Sequence, residues 1–276
     1  MTQEIKEQLK KIKHFALDMD GTIYNGSTLF PFTNTFLGYL KENGINYSFL
    51  TNNPSKSTSD YLKHLEKMGI EATEDEMYTS AVATINYIQK NYPSFKRLFI
   101  LGTLSMIKEF EAAGFVSTDD SADDKPDALV VGFDTSLVYS RLCRAAYWAS
   151  QQLPYFATNP DWVCPTDQPN ILVDCGSICA CIEGATKRKP DAIIGKPDPQ
   201  MLDGIIYKYN LKPNEIAMVG DRIYTDVQMA INAGALGILV LSGEATLEDV
   251  ATSSVKPPIV AENLAEIQEL LIKCRP

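Results

Sequence analysis

The chain has 276 residues, enough for one large domain or two modest ones, and its 45% hydrophobic content suffices for a sizeable core. A formal net charge of −10 excludes a surface built to wrap nucleic acid or to lie on an anionic membrane, so an anionic substrate needs local positive charge from a lysine or a metal. No apolar run reaches the roughly 18–20 residues of a spanning helix, the polar stretch 1–11 is not expected to serve as a secretory signal, and the cysteines have neither metal-ligand nor staple spacing. The expectation is a reduced, cytoplasmic protein.

Residues 3–11 have the pattern of an amphipathic helix that leads into a first strand, 15–17. That short apolar run reads as buried on both faces, and it stops in two aspartates one residue apart, Asp18 and Asp20. Gly21 then allows a sharp turn. In open α/β sheets ligands sit beyond the carboxyl ends of the strands, and alternate residues share a face, so both carboxylates address one crevice. Carboxylates that close repel unless a cation or a proton lies between them. A hard divalent cation with oxygen ligands, Mg²⁺, is the economical resolution.

Beyond the aspartates, Tyr24-Asn25-Gly26-Ser27 carries the signal of a tight hairpin, a small flap at the strand end. A helix over 33–43 stops at Gly44. A second strand, 46–50, ends in Thr51-Asn52-Asn53-Pro54-Ser55, and a helix over 57–68 closes at Gly69. This alternation calls for parallel pairing with helices on both faces.

From Ser80 the pattern restarts. Helices over 81–91, 105–113, 136–152 and 175–186 alternate with strands over 97–101, 128–131, 155–158 and 171–173. The acidic stretch 119–124 lacks the spacing of a calcium loop and reads as a charged surface turn. Cys175, Cys179 and Cys181 read as buried free thiols. The core pattern then resumes with strands over 191–194, 216–219 and 236–241 and helices over 199–209, 224–233 and 263–273. The expected fold is α/β: a doubly wound, mostly parallel, Rossmann-like core sheet formed by 1–79 and 190–276, with an α/β domain, 80–189, inserted into it.

If the core strands are parallel, their carboxyl ends present Asp18 and Asp20, Thr51 and Asn52, Lys196, and Asp221 along one edge. That set offers a potential nucleophile, a potential acid/base, hydroxyl and amide donors, one cation and a third carboxylate. Phosphoryl transfer requires these parts, because its catalysis is mostly positioning and charge neutralisation. Strand direction also selects the lysine: Lys187, Arg188 and Lys189 enter their strand at the far edge, whereas Lys196 leaves it at the site edge.

Asp18-Met19-Asp20-Gly21-Thr22, Thr51-Asn52-Asn53, Lys196-Pro197, and Gly220-Asp221-Arg222 through Asp226 resemble, in order, the four motifs of the haloacid dehalogenase superfamily. The insertion, with Thr158-Asn159-Pro160-Asp161 and Cys175-Gly176-Ser177, resembles the large α/β cap of its NagD-like branch, which includes para-nitrophenylphosphatase-like, phosphoglycolate and pyridoxal phosphatases. The resemblance implies a phosphatase of small phosphorylated metabolites. In it Asp18 is the nucleophile that becomes an aspartyl-phosphate, and Asp20 the general acid and base. Thr51 and the Asn52 region donate to the phosphoryl oxygens, and Lys196 neutralises charge. It implies Mg²⁺ held by Asp18, by Asp20 through its backbone carbonyl, and by Asp221. Asp226 stands behind those ligands, or is simply a helix first-turn acid favoured by the dipole.

A phosphotransferase or phosphomutase of the same superfamily would keep both aspartates and stays open. A phospho-Asp receiver module, which binds and signals without turnover, has no use for a large insertion or for Asp20. The partner expected is a small phosphate ester, with no nucleic acid and no membrane; a homo-oligomer is compatible with the sequence. Substrate choice is assigned to the inserted domain, around 159–174, where Asp161, Trp162, Thr166, Asp167 and Gln168 could meet the leaving group. Trp162 either stacks on a substrate ring or packs within the insertion.

Overall fold

The computed structural model describes residues 2–275 except 165, 167 and 168. The chain divides into two compact units, one of residues 1–50, 62–78 and 197–276, the other of 51–61 and 79–196. No helix among the described residues is long and apolar enough to cross a membrane.

The first unit is organised on a six-stranded sheet. From one edge its strands run Ile259–Ala261, Leu236–Val240, Ile216–Gly220, His14–Asp18, Asn46–Thr51 and Met77–Thr79. Every pairing from the 259–261 edge through to Asn46–Thr51 is parallel. Phe15, Ala16 and Leu17 are fully buried, as an apolar run covered on both faces must be. The chain builds outward from the His14–Asp18 strand on one side, then returns to its other side at Ile216–Gly220. Those two strands pair in register, Leu17 against Val219, so the order of the sheet reverses between them. In doubly wound sheets such a reversal opens a crevice at the carboxyl ends. The expected hairpin forms from Tyr24–Asn25 and Thr28–Leu29.

The second unit is an α/β domain inserted in the chain. Its strands run Ala192–Ile193, Tyr155–Ala157, Ala128–Val131, Arg97–Leu101 and Val116–Ser117, all parallel. Phe99, Leu129, Val131 and Tyr155 of this sheet pack with Trp148 of the Tyr139–Ser150 helix and with Ile178 and Ile182 of the Cys175–Thr186 helix. Cys175 and Cys179 are buried free thiols, whereas Cys181 is exposed. Burial pushes the Cys175 thiol well above its ordinary pKa. The acidic stretch is a charged surface turn in which Asp124 pairs with Arg97 and Asp120 with Arg141.

One strand changes sheets relative to the sequence reading. Residues 191–194 read as the core resuming, but Ala192–Ile193 pairs with Phe156 and Ala157 and closes the edge of the second sheet. A short alternating strand carries no label for the sheet it joins, and only its register partner decides. The sequence reading also passed over the short edge strands Met77–Thr79, Val116–Ser117 and Ile259–Ala261, and Val163–Cys164, which pairs antiparallel with Leu172–Val173. Strands of two or three residues are too short to display a period.

His14, at the start of the central strand, is fully buried, with Nε2 3.0 Å from the Ser48 hydroxyl and its ring 4.6 Å from that of Tyr209. Burial first, then the Lys208 charge, lowers its pKa from 6.5 to about 4. Because the unfolded chain takes up this proton near pH 6.5 and the folded chain only near 4, the contribution to stability is complete above pH 6.5 and is lost as pH falls toward 4. It amounts to about 3 kcal/mol. Urea unfolding of His14→Asn between pH 7 and 4.5 should therefore show a flatter decline of midpoint with acidification than wild type; equal slopes would exclude His14 as the cause.

Candidate active site

The carboxyl end of the central strand gathers the acidic residues of the first unit's candidate site. Asp18 closes the His14–Asp18 strand and is half-buried. Asp221 follows directly on Ile216–Gly220, the neighbouring strand, and Asp226 lies one turn further on. Both are buried, 4% and 1% exposed. Carboxylate oxygens of Asp18, Asp221 and Asp226 all lie within 4.8 Å of one another. Three such groups in a poorly solvated site repel strongly, and the donor set is that of a hard, oxygen-liking divalent cation.

Local structure makes this convergence sterically feasible. A Cβ at Gly21 would lie 2.2 Å from Asp221 Oδ2, and one at Gly243 would lie 2.1 Å from the same atom. Gly21 also has φ +81°, where a side chain is strained in any case. The two glycine loops are tied by the Ser242 hydroxyl, which donates to the Gly21 carbonyl at 2.7 Å, and the Glu244 N–H donates to Asp221 Oδ2 at 2.8 Å. On the other side, a Cβ at Gly220 would lie 2.2 Å from Asp226 Cγ. The expected helix over 224–233 begins as a π-helical turn, Ile223–Val227, before the regular Gln228–Ala233 helix. Asp226 sits in this wide turn and accepts the Arg222 N–H at 3.1 Å. It is therefore a buried member of the carboxylate group rather than a solvated first-turn acid.

Asp20 behaves differently. It is exposed, and its carboxylate accepts the Gly26 N–H of the hairpin at 3.4 Å. It is not a member of the carboxylate group among the described residues. Arg222 is a residue whose role the sequence reading did not assign. Its Nε donates to Glu244 at 2.8 Å, and the Tyr224 hydroxyl donates to the same carboxylate at 2.8 Å. Burial opposes its charge, but Tyr224, Glu244, Asp221 and Asp18 outweigh that and hold the guanidinium above its ordinary pKa. It is a permanent cation beside an anionic cluster. Gly243 and Glu244 were also missed, although they lie just beyond a parallel strand end, the location that drew attention to the other positions.

The second unit holds the remaining predicted residues. Thr51 is the last residue of its strand, one beyond Leu50, the register partner of Asp18. The Thr51 hydroxyl accepts the Asn53 N–H at 3.1 Å. Lys196 is buried, 3% exposed. The Asn52 side chain accepts the Lys196 N–H at 2.7 Å, and it donates to the Lys196 carbonyl at 3.0 Å and to Asp161 at 2.9 Å. Trp162 is 64% exposed, which disposes of packing within the insertion. Asp167 and Gln168 lie outside the described residues.

Comparison with known proteins bears out the resemblance. Residues 15–116 match the family model of haloacid dehalogenase-like hydrolases, and residues 193–267 match a second model described as HAD-hydrolase-like. The ribonucleotide monophosphatase NagD of Escherichia coli K12 is 31% identical over 256 residues, covering 93% of this chain and 98% of its own length. The crystal structure of a 4-nitrophenylphosphatase from Thermotoga maritima superposes with a TM-score of 0.90 at 42% identity, covering 95% of this chain and 98% of that one. A glycerol phosphate phosphatase from Mycobacterium tuberculosis, solved in complex with magnesium, gives a TM-score of 0.87 at 26% identity, covering 95% and 78%. The chain belongs to the haloacid dehalogenase-like hydrolases. Within them it falls in the NagD-like branch, with its inserted α/β domain.

The glycine cradle yields a stability prediction. Gly243→Ala must displace the buried Asp221 side chain and should cost about 1–3 kcal/mol, as overpacking does. Gly38→Ala, in a helix with open space at its Cβ, should gain up to about 1 kcal/mol. Thermal unfolding of the two variants measures the difference; a neutral Gly243→Ala would show that the cradle is loose.

Proposed function

We propose that this chain is a Mg²⁺-dependent phosphomonoester hydrolase that acts on small phosphorylated metabolites through a phosphorylated Asp18. The observation that carries the reading is the convergence of Asp18, Asp221 and Asp226 at the switch point of a doubly wound sheet. Family membership and the phosphatase names of the relatives support it.

Asp18, Asp221 and the backbone carbonyl of Asp20 would hold the Mg²⁺, with Asp226 either joining them or steadying them. When bound, the ion would supply charge neutralisation for a nucleophile and a phosphate that are both anions. Asp18 Oδ attacks phosphorus, the bond from phosphorus to the ester oxygen breaks, and Asp20 delivers its proton to the departing alkoxide. Asp20, now a carboxylate, takes a proton from water as the water oxygen attacks phosphorus. The bond to Asp18 then breaks, releasing inorganic phosphate and restoring Asp18. The exposure of Asp20 suits a group that exchanges protons with leaving group and water. Thr51 and the backbone around Asn52 bind the phosphoryl group in this reading, and Lys196 compensates its charge.

The inserted α/β domain acts as the cap that sets substrate choice, with exposed Trp162 available to stack on a leaving group. Six free cysteines suit a reducing compartment, and the reading includes the cytoplasm.

Asp18→Asn should lower kcat on para-nitrophenyl phosphate more than a hundredfold and abolish the phosphoenzyme seen by mass spectrometry of acid-quenched samples. Retention of more than a hundredth of wild-type kcat would exclude covalent catalysis by this residue. Chelation should abolish turnover, and Mg²⁺ should restore it.

Lys196→Ala should cost about 3–4 kcal/mol in kcat/KM, as loss of a preorganised charge does. Lys189, exposed and 3.5 Å from Glu183, should be replaceable with little effect. Equal losses in steady-state kinetics would show that Lys196 has been given the wrong role.

A further inference from the structure

The Asn52 side chain has a defined number of hydrogen bonds to give, and the structure accounts for all of them. A carboxamide offers two N–H donors and one acceptor oxygen. Nδ2 donates to Asp161 Oδ2 at 2.9 Å and to the Lys196 carbonyl at 3.0 Å, while Oδ1 accepts the Lys196 N–H at 2.7 Å. No Nδ2 hydrogen remains for a phosphoryl oxygen. The amide orientation is fixed as well: turned over, Nδ2 would face the Lys196 N–H and Oδ1 would face a carboxylate, donor on donor and acceptor on acceptor.

We infer that the Asn52 carboxamide is a clamp on the Lys196 peptide, and that Asp161 is the positioning residue that holds the clamp in its productive orientation. The inference rests on the reading of Lys196 as the cation that compensates phosphate charge. It reassigns the Asn52 side chain from phosphate ligand to a group that acts through Lys196.

The surroundings are built to keep the clamp rigid. Asp161 Oδ2 also accepts from Asn159 Nδ2 at 3.2 Å, and Asn159 Nδ2 donates to Asp174 at 3.0 Å. Asp174 caps the Cys175–Thr186 helix, and the Asp161 carbonyl accepts the Gly176 N–H at 2.8 Å. Backbone packs directly on backbone at both ends of this segment. A Cβ at Gly195, the residue before Lys196, would lie 2.7 Å from Asn159 Cα, and one at Gly176 would lie 2.3 Å from the Pro160 carbonyl oxygen. From Lys196 through Asn52 and Asp161 to the helix at Cys175 the contacts are continuous and buried or partly buried. Both ends of the Lys196 peptide are thereby held, so the root of its long side chain is fixed before any substrate arrives, which is how preorganised charge is made effective.

A double-mutant cycle on para-nitrophenyl phosphate hydrolysis separates clamp from ligand. Asn52→Ala should lower kcat/KM by about 10- to 100-fold in the wild-type background, but by less than about threefold when Lys196 is already alanine. An undiminished loss in the Lys196→Ala background means that Asn52 acts on phosphate independently, and the inference fails. Asp161→Asn keeps an acceptor for Nδ2 and should stay within about fivefold of wild type, whereas Asp161→Ala should approach Asn52→Ala. Equal losses in the two Asp161 variants would equally overturn it.

A readout independent of catalysis is the exchange rate of the Lys196 amide. It is assignable by pairwise labelling because Gly-Lys occurs once in the sequence. It should be protected in wild type and exchange at least tenfold faster in Asn52→Ala, or in Asp161→Ala should the former not fold. Lack of protection in wild type, or no acceleration in the variant, overturns the clamp. If wild type with Mg²⁺ hydrolyses no phosphomonoester, the phosphatase reading falls, and the exchange measurement alone decides the clamp.

Discussion

Three carboxylates share a few ångströms at the ends of two adjacent parallel strands, and this repulsion is the constraint around which the first unit is arranged. Such a cluster is costly in a folded protein unless its charge is answered, and the surrounding structure is committed to tolerating it. Gly21 and Gly243 leave the room that Asp221 occupies, and Gly220 leaves the room for Asp226. Backbone N–H groups from Arg222 and Glu244 are aimed at the carboxylates. The π-helical turn Ile223–Val227 sacrifices regular helical hydrogen bonding and buries Asp226 against the strand end. Packing quality is given up where the chemistry needs space, a common pattern at functional sites.

The buried sheet supplies the rigidity that makes this tolerable. The His14–Asp18 strand is covered on both faces and paired on both sides, so Asp18 emerges from one of the best-fixed points in the unit. The adjacent Arg222 brings a charge that stays positive at any working pH, held by Glu244 and Tyr224 rather than by the cluster alone. Asp20, by contrast, sits at the exposed start of the hairpin. Two aspartates one residue apart thus occupy different environments, as the proposed roles of nucleophile and proton carrier require.

On the proposed reading, the second unit serves a different end, the immobilisation of the Lys196 cation. A lysine side chain has four rotatable carbons, and a charge that must be in place beforehand needs its backbone anchored. Asn52, Asp161, Asn159 and Asp174 form a polar chain in which each member is hydrogen-bonded to the next. A fully connected network of this kind specifies one arrangement, whereas a partly satisfied one would be a liability. The segment that carries the exposed Trp162 is thereby continuous with the residues that hold Lys196.

The sequence by itself determined the elements that have a long enough period or a sharp enough stop. These are the central strand and its two aspartates, the Asn-Gly hairpin, the helices ended by Gly44 and Gly69, and the strand ends that carry Thr51 and Asp221. Parallel topology followed from their alternation, because short strands separated by helices have few other ways to pair. Tertiary structure alone decided which sheet takes Ala192–Ile193, since a two-residue strand joins whichever edge offers matching hydrogen bonds. It alone brought Asp226 up to Asp18, through an extra residue in one helical turn that no periodicity reveals. It also turned the Asn52 side chain toward Lys196 and Asp161, because the direction of a carboxamide is set by donors and acceptors more than a hundred residues away in the chain.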